Sequence, residues 1–266
     1  MAAWAINPRT ALACLLALLC CGPAWAELAD YEARYSIYRN GKLIGKLEVD
    51  LARDGDAWEL NSSGSGTHGL ARILRANDSE RVSGLVSEDG RFVPRVHTRH
   101  TRVAGIDDRW KSTFDWDADQ VTVVHDDDET FVLPLHGEAL DPLSLKIEMR
   151  RRLNGPDADL SFLMVDEDEI DEEKFRLLET EWLETSLGCM ETLPIEKIRN
   201  NNRRYTRAWH APSLGNIEVR VEHGKVGGDH LEMRITELSF GGVEVVARPG
   251  CSAMQSASAS STTEGP

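Results

Sequence analysis

Tyr31-Glu-Ala-Arg-Tyr-Ser-Ile-Tyr38 runs into Arg39-Asn40-Gly41, and Lys42-Leu-Ile-Gly-Lys-Leu-Glu-Val-Asp-Leu51 runs back. Tyr31, Ala33, Tyr35 and Ile37 fall on one face of an extended chain, and Glu32, Arg34 and Ser36 on the other. On the return, Leu43, Leu47, Val49 and Leu51 lie opposite Lys46, Glu48 and Asp50. A period of two is the signature of a strand with one buried and one wet face. Asn40-Gly41 supplies the two positive-φ positions of a type I′ hairpin turn, and Asp54-Gly55 then turns the chain into Trp58-Glu59-Leu60. The stretch therefore predicts an antiparallel meander.

The same punctuation continues outward. Turns are expected at Glu88-Asp89-Gly90, Asp115 to Asp119 and Asn200-Asn201-Asn202. Between them, strands are expected at Phe92–Val103, Arg109–Phe114, Val121–His125, Phe131–Leu133, Ser161–Val165 and Phe175–Leu183. Others follow at Leu193–Ile198, Tyr205–Trp209, Ile217–Glu222 and Leu231–Leu238. Two stretches read as helical: a short turn carrying Leu70, Ile73 and Leu74 after the glycine-rich Ser63–Gly69, and a longer one after Asp141-Pro142. The second has an N-capping Asp, Leu145, Met149 and Leu153 at spacings of four, Arg150-Arg151-Arg152 in its last turn and Gly155 as a stop. Many short strands with one or two short helices give an all-β class, and specifically a curved antiparallel β-barrel or half-barrel with the longer helix plugging the sheet.

The chain begins with a leader signature. Arg9 precedes the apolar Ala11–Leu19, and Ala24-Trp25-Ala26 has the small-x-small pattern read by a signal peptidase. Cleavage after Ala26 is expected, with no transmembrane anchor afterwards. Lipidation at Cys20 or Cys21 would require a small residue just before the cysteine, where Leu19 and Cys20 stand. The expected organisation is a signal peptide over 1–26, one β-barrel-like domain over 27–250, and a disordered Ser/Ala/Thr-rich tail over 251–266. That places the protein in the periplasm, or secreted. Removing 1–26 takes away Arg9 alone among charged side chains, which moves the net charge from −15 to −16. Such acidity repels nucleic acid and argues against unaided docking on anionic lipid. Only Cys189 and Cys251 lie beyond the leader. In an oxidising compartment they either pair or stay as two thiols, and no CxxC suggests zinc.

Tyr35-x-x-Tyr38-x-x-Gly41-x-x-x-Gly45 resembles the opening of an exported bacterial family known as domain of unknown function 3108. Three later segments resemble it too: Phe92-Val93-Pro94, Asp141-Pro142-Leu143-Ser144-Leu145 ahead of a basic helix, and Trp209-His210-Ala211-Pro212 before Ile217–Glu222. It is the order of these weak motifs, across about residues 30–240, that carries the resemblance. What it implies is an envelope protein with the architecture of lipoprotein carriers, a sheet wrapped around a helix with an apolar cavity left inside. It implies no activity. The acidic run Asp166–Glu173 and the serine-rich tail depart from the family pattern.

Ser63-Gly64-Ser65-Gly66 lacks the Gly-x-Ser-x-Gly elbow of a serine hydrolase. His97 and His100 would point to opposite faces of a strand. His125 with Asp126-Asp127-Asp128-Glu129 and His136 lacks the glycine of a calcium loop, as does Asp166-Glu167-Asp168-Glu169. These runs read as solvated loops, so no metal, cofactor or catalytic residue is assigned. Arg199, Arg203, Arg204 and Arg207, with Trp209, form the candidate ligand-binding group, since guanidinium forks grip phosphates or carboxylates. The competing reading pairs those arginines across strands with Glu and Asp and packs Trp209 on the core. Trp58, Trp110, Trp116, Trp182 and Trp209 all suit barrel walls. Three functions stay open: a non-enzymatic binding or carrier module for an apolar or lipid-like envelope ligand, an envelope assembly factor acting through protein contacts, and an enzyme of unrecognised type. Fold analogy favours the first. A large apolar cavity would separate it from the second, whose interior should be filled.

Overall fold

The computed structural model describes residues 29–126, 128–154, 158–201 and 203–252. The expected leader and cleavage site, the expected helix stop at Gly155 and the residues from 253 onward lie outside the described residues. The described chain forms one large, curved, unclosed sheet of seventeen strands. In chain order they are β1 (Tyr31–Arg39), β2 (Lys42–Asp54), β3 (Ala57–Gly66), β4 (Asn77–Val86), β5 (Phe92–Val103), β6 (Ile106–Asp115), β7 (Gln120–His125), β8 (Glu129–Pro134) and β9 (Ala139–Leu140). Then come β10 (Ser161–Asp166), β11 (Glu169–Leu177), β12 (Glu181–Thr185), β13 (Gly188–Lys197), β14 (Arg204–Ala211), β15 (Ile217–Lys225), β16 (His230–Phe240) and β17 (Val243–Glu244). Two α-helices interrupt them, α1 (Gly69–Ile73) and α2 (Ser144–Arg152). Of the two alternatives offered by the sequence, the half-barrel is the one formed.

Consecutive hairpins build the sheet from β8 back to β1, and β1 then pairs with both β2 and β16. From β16 the order continues through β15, β14 and β13 to β11 and β12, then β10 and the short parallel partner β9. The acidic run is not a simple loop. Glu169–Glu173 belongs to β11, whose Ile170 packs against the cluster formed by Phe114, Val121 and Val123. The single strand expected over Phe175–Leu183 is two strands in line, β11 and β12, both hydrogen-bonded to the same edge of β13.

Only residues 135–138 separate β8, at one edge, from β9, at the other, so the sheet must curl almost full circle. The edges meet through side chains: Phe114, Val121 and Val123 pack with Leu135, Ala139 and Val165. Among the described residues β8 is paired to β7 and β9 to β10, and the sheet stays unclosed. Because neighbours are antiparallel, the tips alternate between two ends. One end, called here the near end, carries the turns around residues 55, 88–90, 116–119 and 187. The far end carries those around 40–41, 67–76, 104–105, 126, 167–168, 199–201 and 226–229.

Helix α2 lies within the curve. The Asp141 carboxylate accepts from the amides of Leu143 (2.9 Å) and Ser144 (3.0 Å) and from the Ser144 hydroxyl, fixing the first turn as an acidic cap should. Leu143 and Ile147 enter the main core with Leu51, Trp58, Leu60 and Ile235, while Met149 joins Phe162 and Ile195 in a second cluster. A helix gripped by two cores anchors the inside of the sheet.

Candidate functional site

The space between α2 and the strands is polar and full. Lys146 Nζ meets Glu218 Oε2 at 2.8 Å, and the Tyr35 hydroxyl donates to the Glu218 carbonyl at 3.0 Å. The Arg150 guanidinium lies 4.6 Å from the Tyr31 ring centre, and its Nε donates to the Gly215 carbonyl at 3.0 Å. Burial alone would lower the Lys146 pKa, but the Glu218 carboxylate outweighs it and holds the amine above its usual value. The reverse applies to Glu218, where burial would raise the pKa and Lys146 brings it down. Burial drives the Tyr31 and Tyr35 hydroxyls up and the His210 imidazole down. His210 holds the Asn216 carbonyl through Nδ1 at 2.9 Å. The void enclosed by Tyr31, Tyr35, Leu47, Lys146, Arg150 and Glu218 measures about 10 Å³, room for at most one water. The sequence reading named none of these pairings, because Lys146 and Glu218 are 72 residues apart and each reads alone as a surface charge.

The arginine group proposed from sequence divides. Arg207 pairs with Glu196 at 2.6 Å across β13 and β14, and Arg199 donates to the Thr206 hydroxyl at 3.0 Å. Arg203 and Arg204 are exposed at the far end. Trp209 is only 4% exposed; its indole N–H donates to Glu181, and Arg207 and Arg220 lie over its ring at 5.7 and 4.9 Å. Such a ring serves packing. Trp182 behaves oppositely to the wall position expected for it, being 60% exposed.

Trp182 forms one side of a near-end pocket of about 340 Å³, completed by Met190, Pro212, Pro249 and the disulfide sulfur of Cys189, with Glu191, Ser213 and Arg248 at its polar margin. Three elements frame it: the β12–β13 hairpin, the 3₁₀ turn Pro212–Leu214, and the C-terminal strap after β17. The strap is tied down as an added strand would be. Arg248 N–H donates to the Leu187 carbonyl (2.9 Å), Cys189 N–H donates to the Pro249 carbonyl (3.0 Å), and Cys189 is bonded to Cys251. Gly188 is required here. Its φ is +98°, and a Cβ would stand 2.4 Å from the Arg248 carbonyl oxygen.

At the far end His125 stacks on Trp110 at 4.0 Å and bonds Asp108 at 2.9 Å, with Asp126 and Glu129 each at 3.4 Å. The hydrogen bond to Asp108 holds the imidazole pKa up. Ligand atoms of Asp108, His125 and Asp126 lie within 4.8 Å of one another, close enough to share a divalent cation.

Residues 30–236 match the family described as protein of unknown function (DUF3108). The chain belongs to that family. Two crystal structures are similar to this DUF3108 chain. One is a Bacteroides fragilis protein assigned as exported, with a YmcC-like fold, at 11% identity and TM-score 0.31, covering 79% of this chain and 95% of the other. The second, from Parabacteroides distasonis and assigned as a lipoprotein, has 9% identity and TM-score 0.30, with 80% and 96% covered. No curated protein matches the DUF3108 chain.

Proposed function

We propose that this chain is an exported, non-enzymatic binding module of the cell envelope that takes an apolar or lipid-like group at the Trp182 pocket. The observation that carries the reading is the largely apolar wall of the Trp182 pocket of about 340 Å³, where a cleft of about 370 Å³ along β1 and β2 is edged by Asp30, Glu32, Arg34, Glu48 and Asp50 and the void beside Lys146 measures only about 10 Å³. A site of a few hundred Å³ with aromatic and aliphatic walls and a few polar groups suits a small ligand or one end of a longer one. The carrier picture with an apolar cavity inside the sheet finds no support in this filled, ionic interior. That filling favours a second reading, an assembly factor working through protein contacts. The leader signature supports a periplasmic or secreted location. Lys146 and Glu218 inside are paired with each other, and Arg150 donates to the Gly215 carbonyl, which supports a structural role for them.

Native mass spectrometry with solvent extraction tests the reading. The protein should carry an apolar adduct that Trp182→Ser removes while leaving the fold intact, since Trp182 is largely exposed. An adduct kept by Trp182→Ser, or none in either protein, would overturn it and leave the assembly role.

A further inference from the structure

Helix α1 has no buried residue, although two of its five side chains are large and apolar. Leu70 is 65% and Ile73 75% exposed. The loop that carries them is not loose. Thr67 and His68 N–H both donate to the Ile44 carbonyl (2.9 and 3.1 Å), and Ala76 N–H donates to Ala71 (3.0 Å). Gly66 lets α1 lie close, because a Cβ there would sit 2.6 Å from the Ala71 carbonyl oxygen. The next tip is tied on by Ala104 N–H donating to the Leu74 carbonyl at 3.1 Å, and it brings Ile106, 63% exposed. Three apolar side chains from two loops are thus held outward on a hydrogen-bonded support.

Charge is segregated along the same far end. The two outermost tips, β7–β8 and β10–β11, are acidic, with Asp126, Asp128 and Glu129 on one and Asp166 to Glu169 on the other. Between them the tips at 39–42, 68–75 and 199–204 carry net positive charge, and Asp229 of the β15–β16 tip is paired with Arg39. Lys42, Arg72 and Arg75 flank the apolar trio and have no carboxylate within ion-pair reach among the described residues, whereas Asp107 is taken up by His100, Arg102 and Arg109. The lip continues through the exposed Val226, whose N–H donates to the Arg203 carbonyl at 3.0 Å, to Arg203 and Arg204. The net charge of the whole chain conceals this stretch.

We propose that the middle of the far end docks on an anionic phospholipid bilayer, with Leu70, Ile73 and Ile106 entering the headgroup region and Lys42, Arg72 and Arg75 meeting phosphates. Protruding tips backed by unpaired cations suit a membrane interface, where a few apolar side chains suffice and each nearby cation adds affinity. A protein partner would need a broader complementary face. The acidic tips, brought together where the two edges of the sheet meet, would be repelled, so the cationic stretch is the one that approaches.

Protein recovered in soluble form from the producing cell should sediment with phosphatidylglycerol-containing vesicles, weaken as salt rises, and leave phosphatidylcholine vesicles largely unbound. L70S/I73S/I106S and, separately, R72Q/R75Q should each lower vesicle binding by roughly tenfold or more with unchanged circular dichroism and melting. Equal binding to both lipids, binding untouched by either variant, or no vesicle binding at all would overturn the proposal. In the last case, self-association lost in L70S/I73S/I106S would assign the lip to a second copy of this chain instead.

Discussion

The two helices are built from similar residues and end in opposite surroundings. Helix α2 carries Leu145, Ile147 and Met149 beside three arginines, and Ile147 has no exposed surface. Helix α1 carries Leu70, Ile73 and Arg72, and its isoleucine is three-quarters exposed. The difference lies in where the sheet puts them. The four-residue link between its two edges forces the sheet to curl around α2, whereas α1 is only a detour in a hairpin at the rim. Amphipathic spacing alone does not tell a plug from a lip.

The largest effects belong to the filled side. Ile147→Ala should cost about 3 kcal/mol or more in urea unfolding, as a cavity in a close-packed core does, while Ile73→Ala should stay within about 0.5 kcal/mol. Equal costs would erase the distinction. Cys189→Ser releases the strap at the near end; with the cysteines 62 positions apart the stabilisation lost is about 4 kcal/mol at most, and the Trp182 emission should shift as the pocket loses its Pro249 side. A reduced protein with unaltered melting and emission would mean that the strap holds without its bond.

Glu218→Gln leaves the Lys146 ammonium inside the curve without its counter-charge, at a cost of about 2 kcal/mol in chemical unfolding, moderated because part of the lysine reaches solvent. The wild-type pair also fixes a pH sign. A depressed carboxylate contributes stability above its unfolded pKa and loses it as acid reaches the folded value, so Glu218→Gln should flatten the acid limb of the stability profile. A variant as stable as the parent would show that the interior is wetter than the geometry implies.

The smallest effect is a balance of two histidines. His210 is held below its usual pKa of 6.5 by burial, so the unfolded chain takes up a proton that the folded one resists, and stability falls as pH drops below about 6.5. His125 has the opposite sign: its raised pKa gives stability that is complete below the unfolded value and is lost as pH rises through the folded one. His210→Gln should therefore shrink the melting loss between about pH 7.5 and pH 5.5, and His125→Gln should enlarge it. Identical profiles in both variants would remove histidine from the account.

What the sequence disclosed follows from what is local. Period-two alternation and Asn40-Gly41 were enough for the first hairpin, Phe92–Val103 matched β5 to the residue, and the Asp141 cap was readable because capping acts over three residues. The acidic strand β11 was hidden because Asp and Glu disfavour strands on average, and its burial comes from a partner more than forty residues back. The near-end pocket was hidden for the same reason. Trp182, Pro212 and Pro249 come together only when the strap crosses the β12–β13 turn. Arg203 and Arg204 gained a context only from the order of tips along the far end.

Hydrogen exchange tests the central contrast most directly. The amides of α2 from Ile147 to Arg152 should exchange only through global unfolding, while those of α1 should exchange orders of magnitude sooner. Rapid exchange in α2 under native conditions would mean that the plug leaves the curve, and the filled interior would then be a closed state of a cavity that opens.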